Sequence, residues 1–410
     1  MQYLFALTLL VAPLYAVRFD LLGFTTNVCM LWVFFVLLVG AGWVVTTKRT
    51  SQFVQWLGQE LRTPQGILAG MFLLSGVISL FVGGLSQDKL GQFLVLFLQP
   101  VALFILMRFW VFIKNWKLEI GNSLASAALF FVALCGLYAI IQYTTLLGVP
   151  SAWWGNSVEP KRALALFLHP NFYALFVTPL LAFLVPVISG QWTVDREDLK
   201  SVFGFNLFTR YYALYTTAGW LLGVVGLLLS LSRGGWLGLA AAVGVFLLVA
   251  ANRKLLKAAL VIVMVMMVVV SAVPNFRYRV LLPFHGEKSS VARFSLWHTG
   301  WEMVQDSPLL GKGLLGFSNN WDRYNTDPNL QRYPAPHNIF LNFWIDTGLL
   351  GMVSFLGLLV LALWRGIKAK KGYQLGLALA CIAMLIHGLV DIPYFKNDLA
   401  LVFWLLLAVL

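Results

Sequence analysis

Apolar residues in this chain run in long stretches broken by short polar intervals, instead of recurring only on one face of a wet helix. A bilayer crossing takes about 20 such residues. About twelve stretches approach that length, at roughly 3–17, 28–46, 64–84, 92–113, 122–147, 163–188, 213–232, 234–251, 255–273, 338–364, 373–391 and 395–410. The pattern predicts an all-α polytopic membrane protein of about twelve transmembrane helices, the first and last being the shortest, forming a single transmembrane domain over residues 1–410. One polar interval, 274–337, is far longer than the others and predicts a large hydrophilic loop within that domain. Inside it Val291, Phe294, Trp297, Trp301 and Val304 recur every three or four positions, with Arg293 and Glu302 off the stripe. Ser289 or Ser290 can cap the start and Asp306-Ser307-Pro308 can end it, so an interfacial helix is expected there, as a lid on the bundle or as a wall of a lipid-accessible cavity.

Composition fixes the solvent. Hydrophobic residues make up 60% of the chain and charged ones 11%, with a mean hydropathy of +0.83; a soluble domain carries about 25% charged residues. The start, Met1-Gln2-Tyr3, lacks the cations of a secretory signal, so the first stretch is read as a helix. Lys and Arg gather in cytoplasmic segments of membrane proteins. With the amino terminus inside, the groups around 48–62, 108–117, 196–210, 253–257 and 365–371 all fall on the inner side. The short outer segments hold only Arg18, Lys89, Lys161, Arg162, Arg233 and Lys396. This predicts a multi-pass membrane protein with both termini cytoplasmic and the long polar interval facing outward.

The net charge of +13 is accounted for by insertion and by the anionic inner leaflet, so membrane lipids are the expected partners and nucleic acid is not. Cys29, Cys135 and Cys381 lie in apolar runs without metal-ligand spacing and read as small buried hydrophobes. No zinc, dinucleotide or Walker signature is present, and Gly311-Lys312-Gly313 lacks the rest of a phosphate loop. No cofactor, no metal and no ATP-driven pumping are expected. The lack of an internal repeat weighs against inverted-repeat transporters.

The candidate chemistry sits at the outer ends of the apolar runs. Arg162 opens Arg-Ala-Leu-Ala-Leu-Phe-Leu-His-Pro-Asn, with His169 and Asn171 expected deeper in the same helix and Pro170 disturbing its ladder; Arg162 is either a snorkelling anchor or a ligand group, and His169 reads as structural. Arg233 stands in Ser230-Leu231-Ser232-Arg233-Gly234-Gly235, a tight turn where a guanidinium can fork onto phosphate oxygens and the serine hydroxyls can add donors. His337 follows Pro334 and Pro336 and precedes Asn338, and its imidazole can take a proton from a hydroxyl nucleophile. Asp391 is either an ion-pair partner for an arginine or an orienter of His337. Cations facing outward would also suit a carrier of lipid-linked glycans, so transport stays open as an alternative class.

Taken in order, Arg162 to Asn171, Leu231-Ser-Arg-Gly-Gly-Trp236, Arg293 with Trp297, Pro308-Leu-Leu-Gly-Lys-Gly313 and Pro336-His-Asn-Ile-Phe-Leu341 with Gly348 and Gly351 resemble the O-antigen ligase and polymerase superfamily of integral-membrane glycosyltransferases, most closely its lipopolysaccharide O-antigen ligases. The resemblance covers roughly residues 160–395, and it implies a bacterial inner-membrane protein whose long polar interval, 274–337, is a large periplasmic loop. It implies transfer of a glycan from an undecaprenyl-diphosphate carrier to a hydroxyl of the lipid A core or another glycan acceptor, by a single inverting displacement that needs no metal. Arg162 and Arg233 would grip the diphosphate and His337 would activate the acceptor. Arg293, Asn338, Asn171 and Asp391 complete the expected substrate-binding set. A polymerase using the same donor is the nearest alternative.

Overall fold

The computed structural model describes residues 1–21, 24–114, 117–155, 160–192, 212–250, 272–281, 288–327 and 330–410. Among them the chain is helical apart from one short hairpin, β1 (Arg18–Leu21) with β2 (Phe24–Asn27), paired antiparallel so that Arg18 faces Asn27. Six helices are long and apolar enough to cross a bilayer: Val28–Thr46, Pro64–Phe81, Gln87–Lys114, Leu118–Thr145, Arg233–Ala250 and Ile339–Ala369. The protein is thus a multi-pass membrane protein, but the expectation of about twelve transmembrane helices is not met. Five of the remaining runs form shorter apolar helices, Gln2–Ala16, Pro170–Phe183, Leu214–Leu229, Gly372–Gly388 and Asn397–Ala408, and the run at 255–273 lies, but for its last two residues, outside the described residues, as do the cation groups at 196–210 and 253–257.

The shortfall has a local cause: apolar composition continues past the points where the backbone stops being helical. In the first run, α1 (Gln2–Val11) gives way at Pro13 to a 3-10 turn, Ala12–Ala16. In the run from 163, residues up to His169 are not helical, and α8 (Pro170–Phe183) begins with proline at its first position, where the missing N–H costs nothing. His169 and Asn171 therefore flank a helix start and do not lie two turns down a helix. The interval 274–337 is also more ordered than a loop: it contains helices at Pro274–Leu281, Lys288–Asp306, Gly316–Asn319 and Trp321–Tyr324.

The chain divides into two compact units, one of residues 1–127, 295–365 and 388–410, the other of 128–294 and 366–387. The first is centred on aromatic rings. α4 (Pro64–Phe81) supplies Phe72, which stacks on Phe97 at 4.9 Å and meets Trp404 edge-on at 5.4 Å; Phe343 stacks on Phe355 at 4.0 Å. Lipid tails are as apolar as these rings, so close contact, not exclusion of water, holds them. α5 (Gln87–Phe93) and α6 (Gln99–Lys114) are joined by a π turn, Leu94–Leu98, and the Leu96 carbonyl there accepts the Tyr394 hydroxyl at 2.5 Å. Two cations counted as topological markers are structural: Arg108 is forked onto buried Glu60 at 3.0 and 3.1 Å, and Lys89 donates to the carbonyls of Val82 and Gly84.

The second unit has α7 (Lys117–Thr145) from Ala128 onward, α8, α10 (Tyr212–Leu229) and α11 (Arg233–Ala250), with α9 (Val185–Ile188) a single turn after α8. Its helices approach through small residues. A Cβ on Gly136 would lie 2.1 Å from the Leu222 carbonyl oxygen, and one on Gly238 would lie 2.7 Å from that of Ala383.

Pro274–Leu281 is α12, Lys288–Asp306 α13, Gly316–Asn319 α14, Trp321–Tyr324 α15 and Ile339–Ala369 α16. In α13 the buried face is Leu296, Met303 and Val304, whereas Val291, Phe294 and Trp301 are exposed, so the predicted helix is present but most of its stripe points outward. α16 is broken at Gly348, whose φ of 65° no side chain adopts without strain. The segment after α13 fills the break: Lys312 N donates to Ile345 O at 2.6 Å and Leu349 N to Leu309 O at 3.1 Å. A Cβ on Gly348 would lie 2.2 Å from Leu309 O. Gly348→Ala is therefore expected to destabilise the first unit by ~1–3 kcal/mol from backbone strain alone, read as a lowered Tm in detergent.

Candidate functional site

Three non-glycine residues near the sequence candidates have left-handed backbones: Ala165 at φ 48°, Leu231 at φ 53° and His337 at φ 49°. Such a conformation persists only where surrounding groups impose it. In the second unit the group imposing it on Ala165 is Gln142, a buried amide inside an otherwise apolar run of α7. Its carbonyl oxygen accepts from Leu164 N at 3.1 Å and Ala165 N at 2.7 Å, and its amide donates to Ala165 O at 3.0 Å. The reversal leaves Arg162 against the carboxyl end of α10, where Ala163 N also pairs with Leu229 O.

Arg162 Nε donates to Ser230 O at 2.8 Å and Nη2 to Asn171 Oδ1 at 2.7 Å, with the guanidinium 5.4 Å from the centre of the Trp153 ring. The cation thus complements the orphan carbonyls that end α10. Asn171 positions the arginine. His169 Nδ1 accepts from Asn171 N at 3.0 Å and its ring meets Trp153 edge-on at 4.5 Å, so it caps α8 as a structural histidine. Next to Arg162, the Lys161 ammonium lies over the Tyr143 ring at 4.6 Å.

The Leu231 turn joins α10 to α11 and sets Arg233 at the first position of α11, partly exposed, beside the helix's positive end. The serines do not add outward donors as expected. Ser230 Oγ donates to Leu227 O at 2.6 Å and accepts from Ser232 N at 3.3 Å, and both residues are buried. They hold the turn, because a short hydroxyl beside an unpaired carbonyl pairs locally.

In the first unit Asn338 caps α16: its Oδ1 accepts from Phe340 N at 3.0 Å and Leu341 N at 3.1 Å, while its amide donates to Leu389 O at 3.2 Å. Gly388 lets the turn before Asp391 lie against Ile339. Asp391, 54 positions from His337 in sequence, thereby places its Oδ1 3.1 Å from His337 Nδ1. Ile392 N donates to the same oxygen at 2.9 Å. The aspartate is nearly sealed, with its side chain 6% exposed, and the histidine is open at 26%.

A carboxylate only accepts, so Nδ1 carries the proton and the lone pair of the neutral ring is at Nε2. The Tyr333 ring meets the imidazole edge-on at 5.6 Å, and Trp297 Nε1 contacts His337 O at 3.4 Å. A histidine whose tautomer is set by a buried aspartate, with the other nitrogen available, can take a proton from a hydroxyl. Asp391 thus stands beside His337, one of the two placements open to it. Arg293 lies partly exposed in the first half of α13, within the second unit.

Residues 218–356 match the family described as O-antigen ligase, in agreement with the order of the motifs. The match includes Arg233, Arg293, His337 and Asn338, while Arg162, Asn171 and Asp391 lie outside it. An uncharacterized protein of Haemophilus influenzae is 24% identical over 281 residues, which is 64% of this chain and 67% of that protein.

Gln142, Trp153 and Tyr333 were not among the sequence candidates. Gln142 had a signal, as an amide deep in an apolar run; the aromatics had none among so many others. Gln142→Leu removes all three bonds that hold the Ala165 reversal, at roughly 1 kcal/mol each. The expected result is a Tm several degrees below the parent in detergent.

Proposed function

We propose that the protein moves a glycan from a lipid-diphosphate carrier, of the undecaprenyl class, onto a hydroxyl of the lipid A core, with the reacting groups on the periplasmic side of the inner membrane. The observation that carries this reading is the His337–Asp391 pair: a partly open imidazole, its Nδ1 held by a sealed carboxylate, at the mouth of a membrane helix in a chain that matches the O-antigen ligase family. The cation groups at 48–62, 108–117 and 365–371 support the orientation, since they mark the opposite, cytoplasmic side.

In the proposed step the acceptor oxygen attacks the anomeric carbon, the bond from that carbon to the diphosphate breaks, and the electron pair leaves with the diphosphate. The hydroxyl proton passes to His337 Nε2. Asp391 holds the ring in the required tautomer and stabilises the imidazolium that forms. Charge develops on the leaving diphosphate, and Arg162 and Arg233 are assigned to it. A guanidinium offers the two parallel donors that phosphate geometry accepts, and groups already held in place spend no energy reorganising as the charge appears. The bond energy of the carrier linkage drives the transfer, so no nucleotide is consumed.

The test is to supply purified protein with an undecaprenyl-diphosphate oligosaccharide, with and without lipid A core, and to resolve the products by size. Transfer only in the presence of core is the expected result. Lengthening on the carrier would make the protein a polymerase, and no new bond in either reaction would overturn the transferase reading in favour of transport.

His337→Ala is expected to lower the transfer rate by roughly 10²–10⁴-fold, with the protein still inserted and folded. Asp391→Asn should fall between that variant and the parent. Retained activity in His337→Ala would remove the histidine from the chemistry. Arg233→Lys, which keeps charge but loses the fork, is expected to cost about 10-fold or more in kcat/KM, or ~1.4 kcal/mol of transition-state stabilisation; a parental rate would rule out bidentate recognition.

A further inference from the structure

The end of α16 remote from His337 carries a polar cluster that the proposed reaction does not use. The helix Thr50–Glu60 runs into α4 there through a tight turn. Thr63 Oγ1 donates to Glu60 O at 2.7 Å and accepts from Gly66 N at 3.1 Å, and a Cβ on Gly66 would lie 2.0 Å from Glu60 O. The turn thereby fixes the side chains of Glu60 and Gln65 at the amino end of α4, where the helix carries its positive partial charge.

An arginine from another helix reaches each of these side chains. Arg108 of α6 takes Glu60, with Nη2 2.8 Å from Oε1. Arg365 of α16 donates Nη1 to Gln65 Oε1 at 2.6 Å, so its charge meets a neutral amide while the carboxylate at this turn is committed to Arg108. A guanidinium only donates, so the amide oxygen is the atom facing Arg365 and the amide nitrogen is the other branch. That nitrogen is buried: Gln65 is 1% exposed, and its Nε2 has no hydrogen-bond partner among the described residues. Oε1 and Nε2 share one carbon, which puts the unmet donor beside the guanidinium.

A buried donor calls for an acceptor. An anion suits this one, because Arg365, exposed Arg62 and the positive end of α4 leave the turn with excess positive charge. Phosphate oxygens accept from a guanidinium and a neighbouring amide together. The flank is apolar, with Leu61, Ile67 and Trp364 exposed, and arginine beside tryptophan at a helix end is the composition of a membrane interface. A phosphate that arrives with acyl chains matches both parts.

We propose that Arg365 and Gln65 form a binding site for the phosphate of an anionic phospholipid, with its acyl chains against Ile67 and Trp364. The site is independent of the reading of His337.

The test titrates the delipidated full chain in detergent with phosphatidylglycerol and counts bound lipid by native mass spectrometry, with inorganic phosphate in a parallel series. One lipid is expected to bind the parent protein more tightly than the rest, and inorganic phosphate is expected not to displace it. Arg365→Gln removes the charge and keeps an amide for Gln65; Gln65→Glu gives Arg365 a carboxylate and repels phosphate. Each is expected to weaken that lipid by about 10-fold or more, while Lys114→Gln, the same loss of charge at an exposed residue ending α6, leaves it unchanged. Gln65→Glu adds an ion pair, so it carries the test if Arg365→Gln does not fold. Parental affinity in folded Gln65→Glu overturns the proposal, and so does an equal loss in Lys114→Gln, which would mark diffuse attraction. Binding of inorganic phosphate without phosphatidylglycerol would refute the lipid in favour of a free anion. No arm depends on glycosyl transfer.

Discussion

A hydrocarbon solvent offers no partner to a peptide group, so wherever a helix of this protein breaks, another protein atom must take up the freed donor or acceptor. The π turn in the first unit exposes the Leu96 carbonyl and Tyr394 donates to it. The break at Gly348 is filled by the backbone of residues 309–312. Gln142 answers three groups at the Ala165 reversal, and Arg162 answers the Ser230 carbonyl where α10 ends. Gln142, Tyr394 and Arg162 are therefore partners of particular backbone breaks.

The candidate chemistry stands at those breaks for the same reason. A helix interior has no spare donor or acceptor to offer a ligand, whereas a helix end presents several. Arg162 meets a carboxyl end, Arg233 an amino end, and His337 precedes a capped amino end. Left-handed residues at 165, 231 and 337 turn the chain sharply enough to bring these side chains to the mouths of helices. The strain is held by buried hydrogen bonds, which leaves the groups preorganised instead of searching for their positions.

Charge is graded in the first unit. Asp391 is nearly sealed beside an open histidine, and Lys396 is buried against Tyr15 and Asp398. Burial strengthens each of these interactions and makes an unmatched charge costly, so alternating cation and anion is the arrangement that burial favours.

Much of this was legible along the chain. The membrane class followed from composition, and the candidate arginines and histidine from cations placed where topology did not require them. These are local or compositional properties, set by the side chains of neighbouring residues. The number of membrane-length helices was not legible, because hydropathy measures how apolar a stretch is and not where its backbone stops turning; Pro13 and Gly348 end or break helices within runs that remain apolar, and Pro170 starts one well inside its run. Nor could sequence choose among partners for Asp391, turn Ser230 inward, or pair Lys396 with Tyr15, 381 positions away. Those contacts depend on how closely distant helices approach, and that is decided by the fit of small residues and aromatic rings in three dimensions, which no periodicity along the chain encodes.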